Sequence, residues 1–415
     1  MTCIKIAQDL DSAYIYFEKA DKVRRDPSGL LDDPEQYKPS GVAAKALKSR
    51  ALLYAASPLN TEGDPNDWVN AATAAWDALQ IALQKEYDLL PGNLRYNNYY
   101  GSIYTNEHLW AYYIGNVAWN AAQLTRSKFN GVFMNNKNVH NGFAPTQNFV
   151  DKYETRWGEI LETQEDRDAA TAAGHYSEQN MYVDRDPRLA MDVIYNQSPA
   201  QGWSDGKAQI WFEIVGGNTK WSELLNPTFR GITPTGYYVR KIWPNNSVKN
   251  QAPAHWCEPY IRLAELYLNY AEASNEAYGP TSIGVPGATL SSLDAINIIR
   301  ARVGQVDVLS QYTTDKDIFR ERIKNERCIE LSFEGAHYYF DIRRWMDAPR
   351  TMTTTIMGVT IEKVPISPEY PTGFKYDRTA LSEDRQPTWF PYMYYFPFRA
   401  EDGYKMQNFV VNELW

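Results

Sequence analysis

Between about Pro91 and Trp256 the sequence loses any sustained 3.6-residue period and becomes rich in Gly, Asn, Pro and aromatic residues, a texture of long connections and short strands that carries function more often than core. Ring-bearing and amide-bearing side chains alternate here. Tyr112, Tyr113 and Trp119 lie among Asn116 and Asn120, Phe133 and His140 follow, and Trp203, Trp211 and Trp221 come after the DRDPR run, with Asp205 beside Trp203. Flat apolar faces next to hydrogen-bonding groups suit recognition of a neutral, polar ligand. Any single ring among them serves packing more often than binding, because Trp and Tyr are commonly buried to a large degree. Trp203, flanked by Gly202 and Ser204, is the ring expected to be exposed.

Other chemistries find less support. The 51 acidic residues offer many carboxylate pairs and no local signature that singles one out for glycoside cleavage. Glu326, Arg327, Glu330 and Glu334 resemble a catalytic cluster, yet Arg327 and Glu330 are spaced i, i+3 on a helix, and Arg343 and Arg344 follow. That is expected to be a structural network. In Asp184–Arg188 the Asp side chains should close a turn on local backbone N–H groups. The five histidines are scattered without metal-ligand spacing, and Asp64, Asn66 and Asp67 lack the pattern of a calcium loop. GWSDGK is one residue short of a phosphate loop and lacks its Ser or Thr. Cys3, Cys257 and Cys328 show no CxxC spacing, so neither disulfide framework nor zinc site is implied. No metal or cofactor is called for. With 42 Lys+Arg against 51 Asp+Glu the net charge is −9, which disfavours nucleic acid and anionic lipid as partners.

The elements that must position these residues are mostly helical. Leu10, Ala13, Tyr14, Phe17 and Ala20 form one apolar stripe; a second helix spans about Val42 to Ala56 and stops at Ser57-Pro58; a third follows GDPNDW and ends near Lys85. Their many alanines let backbones approach, as tetratricopeptide-like pairs require. Short strands are expected at Leu109–Ile114, Ala190–Tyr195, Gln209–Val215 and Tyr237–Ile242, and a helix at Thr146–Tyr153. Helical order returns at Pro259–Ala277, where Arg262, Glu265, Asn269, Glu272 and Glu276 mark a polar stripe. Ser291 and Asp294 form a capping box ahead of a second helix closed by Gly304. A third runs from about Asp317 to Glu334 and leads into HYYFDIRRW. The tail from Thr351 reads as irregular chain with a few strands. No window approaches the roughly 18 apolar residues that cross a bilayer.

Taken in order, SPLNTEGDPNDW, FAPTQNFVDKYE, DRDPRLAMDVIY, GYYVRKIW, PYIRLAELYLNYAEA, INIIRARVG, IKNERCIELSFEGAHYYFDIRRW and FPFRAEDGYKMQNFV resemble the SusD/RagB family of nutrient-uptake lipoproteins, from about Asp9 to the end. The resemblance implies one mainly α domain over 1–415. Tetratricopeptide-like helical pairs at 9–90 and 258–345 would support a loop-rich, partly β ligand face at 91–257, with an irregular segment at 346–415. It also implies non-catalytic binding of an oligosaccharide or polysaccharide at the outer-membrane surface, and a SusC-like TonB-dependent transporter as partner. Family members carry a lipoprotein signal and lipidated cysteine ahead of the segment equivalent to Asp9–Ser57, so this chain is expected to be short at its front; no apolar signal precedes Cys3. For such a ligand the aromatic rings would stack on sugar C–H faces and the Asn, Asp and Arg groups would bond hydroxyls. The implied site residues are Tyr112, Tyr113, Trp119, Asn120, Trp203, Asp205, Trp211 and Trp221. A helical glycoside hydrolase and a peptide-holding scaffold are the alternatives.

Overall fold

The computed structural model describes residues 2–24, 38–60, 64–99, 105–114, 143–200, 203–228, 231–242, 256–397 and 401. The three expected N-terminal helices form as α1 (Thr2–Lys19), α2 (Gly41–Ala56) and α3 (Pro65–Gln84). Side chains cap two of them: Ser40 accepts from the Ala43 N–H, and Asp64 accepts from the Asn66 N–H, with Pro65 opening the first turn. Asp64 is therefore a helix cap. α1 packs on α2 and α2 on α3, with Ala46, Ala56, Ala71, Ala75 and Ala78 buried between them.

The chain then leaves the stack and returns. Helices α4 (Gln147–Asp151), α5 (Gln164–Ala172) and α6 (Pro187–Asp192) are short; Thr146 caps α4 and Asp186 caps α6. α7 (Leu263–Tyr278) packs on α3, and α8 (Ser292–Ala301) and α9 (Lys316–Glu330) pack on α7. The Ser291–Asp294 capping box forms in both directions. Trp76 and Tyr270 meet across the α3–α7 seam with ring centroids 5.2 Å apart, inside a core that also holds Leu79, Leu266, Ile296, Ile299, Phe319 and Ile323. α10 (His337–Arg344) and α11 (Ala348–Thr353) follow. The fold is mainly α, as the sequence implied. No described helix is long and apolar enough to cross a membrane.

The strands contain what the sequence did not show. β1 (His108–Ile114) pairs antiparallel with β6 (Trp256–Arg262), so the segment from Pro259 to Arg262 is strand, and the helix expected there begins at Leu263. β2 (Val193–Ile194) pairs with β5 (Tyr238–Val239). β3 (Phe212–Val215) and β4 (Asn218–Trp221) make a hairpin closed by Gly216 and Gly217 at φ 57° and 79°, the left-handed pair that a two-residue turn demands. The tail supplies β7 (Met357–Lys363) and β8 (Phe374–Ala380), and the sheet order is β4-β3-β7-β8. Thus β7 and β8 join the last part of the described chain to its middle, with β7 running parallel to β3. Gly236 lies where a Cβ would stand 2.6 Å from the Val359 carbonyl, so only glycine lets the chain pass over β7.

Candidate functional site

Strand alternation builds one exposed aromatic face. On β1 and β6, Leu109, Ala111, Cys257 and Ile261 point inward and are buried, which turns Trp110, Tyr112, Glu258 and Tyr260 to the opposite face. Tyr112 and Tyr260 are 46% and 42% exposed, ample for ring faces to meet a ligand. Trp110 is half-buried and meets Tyr260 edge-on, centroids 5.0 Å apart at 63°. Tyr112 pairs across the ribbon with Glu258.

Beside this platform lies a cavity of about 430 Å³ bounded by Arg50, Tyr54, Glu258, Tyr260, His337 and Phe340. α2 delivers Arg50, whose Nε and Nη2 donate to the two Glu265 oxygens at 2.6 Å each, while Nη2 also donates to the Tyr260 carbonyl at 2.6 Å. Arg50 thus ties the strand that carries the platform to the helical stack. Burial works to raise the Glu265 carboxyl, but Arg50 and His337 outweigh it and hold it at about 2. Burial also pushes His337 below its ordinary value, against the pull of Glu265, so its imidazole is neutral at pH 7. Tyr54 is raised to about 12, chiefly by burial and then by Asp341, and stays a hydroxyl. The surface therefore offers two partly exposed rings, one guanidinium, one carboxylate and neutral donor–acceptor groups. Stacking and hydroxyl bonding are within its means.

The residues expected to form a site fall in different places. Tyr112 is on the platform, and Tyr113 pairs through its backbone with Cys257. Trp119 and Asn120, like Asn116, Phe133 and His140, lie outside the described residues. Trp203 is not the exposed ring expected: it is 6% exposed and packs with Ile194, Ile210, Leu224 and Tyr238 in a second core. The loop-like Gly-Trp-Ser context hid a side chain turned inward, and truncating it would open a core cavity. Asp205 is exposed in a turn at φ 58°. Trp211 is half-buried, its Nε1 donating to Gln209 at 2.5 Å and its ring 4.9 Å from Lys363 Nζ. Trp221 is 47% exposed on β4, against Phe212. The sequence reading missed Trp110, Tyr260 and Arg50. Period-two alternation through Cys257, Pro259 and Ile261 was the available signal for Tyr260.

The cluster of Glu326, Glu330 and Glu334 is, as expected, a structural network, and it is buried. Glu330 Oε1 accepts from Arg262 at 2.9 Å, from Arg95 at 3.4 Å and from Arg302. Glu334 accepts from Arg262 at 2.7 and 2.8 Å and from the Tyr99 hydroxyl at 2.6 Å, and Lys241 Nζ lies 2.7 Å away. Glu326 pairs with Arg188, which Asp186 also grips. Arg327, expected to pair with Glu330, turns to Asp341 at 2.9 Å and Asn269 at 2.7 Å. In the DRDPR run Asp186 does cap a turn, as expected, while Arg185 donates to the carbonyls of Val150, Tyr153 and Met181.

A sequence profile described as the SusD family matches residues 106–415. Among solved structures, a SusD-like protein from Bacteroides fragilis is 21% identical with a TM-score of 0.67, over 99% of this chain and 70% of that one. A SusD-like carbohydrate-binding protein, also from Bacteroides fragilis, is 21% identical with a TM-score of 0.60, over 96% and 70%. A SusD superfamily protein from Parabacteroides distasonis is 16% identical with a TM-score of 0.53, over 95% and 65%. No curated protein matches the chain.

Proposed function

The chain belongs to the SusD family, and from that premise we propose that it binds glycan chains at the cell surface without cleaving them and passes them to a TonB-dependent outer-membrane transporter. The observation that carries binding is the Trp110–Tyr112–Tyr260 face beside the Arg50 cavity. Exposed rings on this face can receive the C–H faces of a saccharide, while Arg50, Glu258 and His337 accept or donate at its hydroxyls. The name carried by the Bacteroides fragilis relative, carbohydrate-binding, agrees with this reading.

Binding is favoured over cleavage by the state of the carboxyls. A glycosidase acid must keep its proton near neutrality, which requires a raised pKa. Among the described residues every Asp or Glu with a displaced pKa is displaced downward: Asp11, Glu162, Asp186, Glu265, Glu321, Glu330, Glu334 and Asp341. Each is held by a cation and remains an anion.

Retardation in gels containing individual polysaccharides tests the proposal. Tyr112→Ala and Tyr260→Ala should each weaken binding about ten- to hundredfold, the effect of losing one stacking ring worth roughly 1–3 kcal/mol, without shifting the melting temperature. Unchanged affinity in both variants would remove the platform from the site. New reducing ends in the incubated polysaccharide would overturn binding without cleavage.

A further inference from the structure

Helix α10 presents a second face to a second cavity. His337 and Phe340 border the platform cavity, whereas Tyr338 and Ile342, with Trp345 just past the helix end, follow an i, i+4, i+7 stripe that lines a separate space of about 460 Å³. Phe149 and Asn148 from α4 form its opposite wall and Asn325 from α9 lies on its floor. Such a volume lies within the range of small-molecule sites.

Two features define the ligand. The first is charge. Lys152 Nζ is 3.0 Å from Glu162, and Lys324 Nζ is 2.7 Å from Asp347 and 3.0 Å from Glu321. Arg350 reaches the same Glu321 at 3.3 Å. The cations at the rim are thus already matched by carboxylates, and a charged ligand would have to break a pair to gain a partner. An uncharged ligand need not.

The second is a buried acceptor with no described partner. Asn325 is only 5% exposed, and its Nδ2 donates to the Lys152 carbonyl at 2.9 Å, which fixes the amide orientation. Its Oδ1 accepts from no described group. A buried acceptor left unmatched costs roughly 1–3 kcal/mol, and in a native fold such an atom calls for a donor. Asn148, by contrast, is engaged at both ends: its amide nitrogen donates to the Thr355 carbonyl at 3.1 Å and its oxygen accepts from the Met357 N–H at 2.7 Å. What enters should therefore lay an apolar face on the Tyr338 and Phe149 rings and bring a hydroxyl that Asn325 Oδ1, closed to solvent in this conformation, meets by a small turn of its side chain.

We propose that this cavity is a second saccharide site, taking one or two neutral sugar units, so that the chain holds glycan at two places on opposite faces of α10. The proposal rests on the glycan-binding reading above. Its ligand donates a hydroxyl to Asn325 Oδ1 and leaves the rim ion pairs intact.

Saturation-transfer NMR with maltose, cellobiose and xylobiose tests it on the full chain. The wild type should give a signal with at least one of the three, and a Tyr112→Ala/Tyr260→Ala double variant should retain part of it. Adding Asn325→Leu should weaken that remainder about tenfold. Thr354→Trp, at the exposed rim of the same cavity, should block it without touching the floor, and so covers the case in which Asn325→Leu fails to fold. Loss of all signal in the platform double variant would overturn the second site and leave the platform standing. A signal indifferent to the platform residues but abolished by Thr354→Trp would do the reverse. Silence from the wild type with all three sugars would sink both.

Discussion

Glu330→Ala should lower folding stability by about 3–5 kcal/mol, the usual result of removing one partner from a buried ionic group. Its carboxylate is fully buried and accepts from Arg262, Arg95 and Arg302, with Arg188 3.6 Å away. Burial acts to raise it, yet these cations hold it well below the ordinary carboxylate range. Without it, several guanidinium groups remain inside the protein with less negative charge than positive around them. Glu330→Gln should also destabilise strongly, since an amide keeps the shape and loses the charge. Urea denaturation reads the effect directly. Binding by the folded fraction should be unchanged, because Glu330 borders neither the platform nor either cavity flanking α10. A large affinity loss at normal stability would show that the cluster touches ligand.

That cluster illustrates what the sequence discloses. The charges of KNERCIELSFEG stand out, but their partners Arg95, Arg188 and Lys241 come from the aperiodic middle, which no local spacing announces. The polar stripe of α7 is a similar case. Its period is plain in the sequence, whereas its destination is not: Glu265, Asn269 and Glu272 are buried, meeting Arg50, Arg327 and Arg344. A stripe of charge suggests solvent until the opposing helix brings matching charge.

The capping box was legible because Ser291 and Asp294 act on backbone groups three residues apart, whereas the equally local caps Ser40, Asp64 and Thr146 went unread. Long-range sheet pairing was the least legible. β7 reaches β3 across more than a hundred residues, and β6 reaches β1 likewise, so the tail's role and the ring contact of Tyr260 with Trp110 stayed hidden. Trp203 failed for another reason. Composition reports that a ring sits in a loop-like stretch, and only the folded Ile194, Ile210 and Tyr238 around it decide that it faces inward.

Acid should unfold the protein between about pH 4.5 and pH 2, and the same downward-displaced carboxyls set that window. Glu265, Glu330, Glu334, Asp186 and Asp341 all titrate lower in the fold than their ordinary values. The unfolded chain therefore takes up protons first as pH falls, and the stability these groups contribute is fully present above about 4.5 and is lost on the way down through their folded values. For Glu265, held at about 2 against an ordinary 4.5, the loss amounts to roughly 3 kcal/mol. His337 acts earlier and in the same direction. Its folded pKa is depressed below 6.5, so protonation already favours the unfolded state just below that pH. Melting temperatures recorded from pH 7 to pH 3 should fall gently at first and then steeply below about 4.5. Because the pairs are buried, raising salt should leave the steep limb nearly in place, where exposed ion pairs would be screened. Arg50→Ala, which frees Glu265 to protonate nearer its ordinary value, should be less stable at pH 7 and lose less on acidification. A melting temperature flat between pH 5 and pH 3 would mean that the carboxylates are not held by their cations in solution.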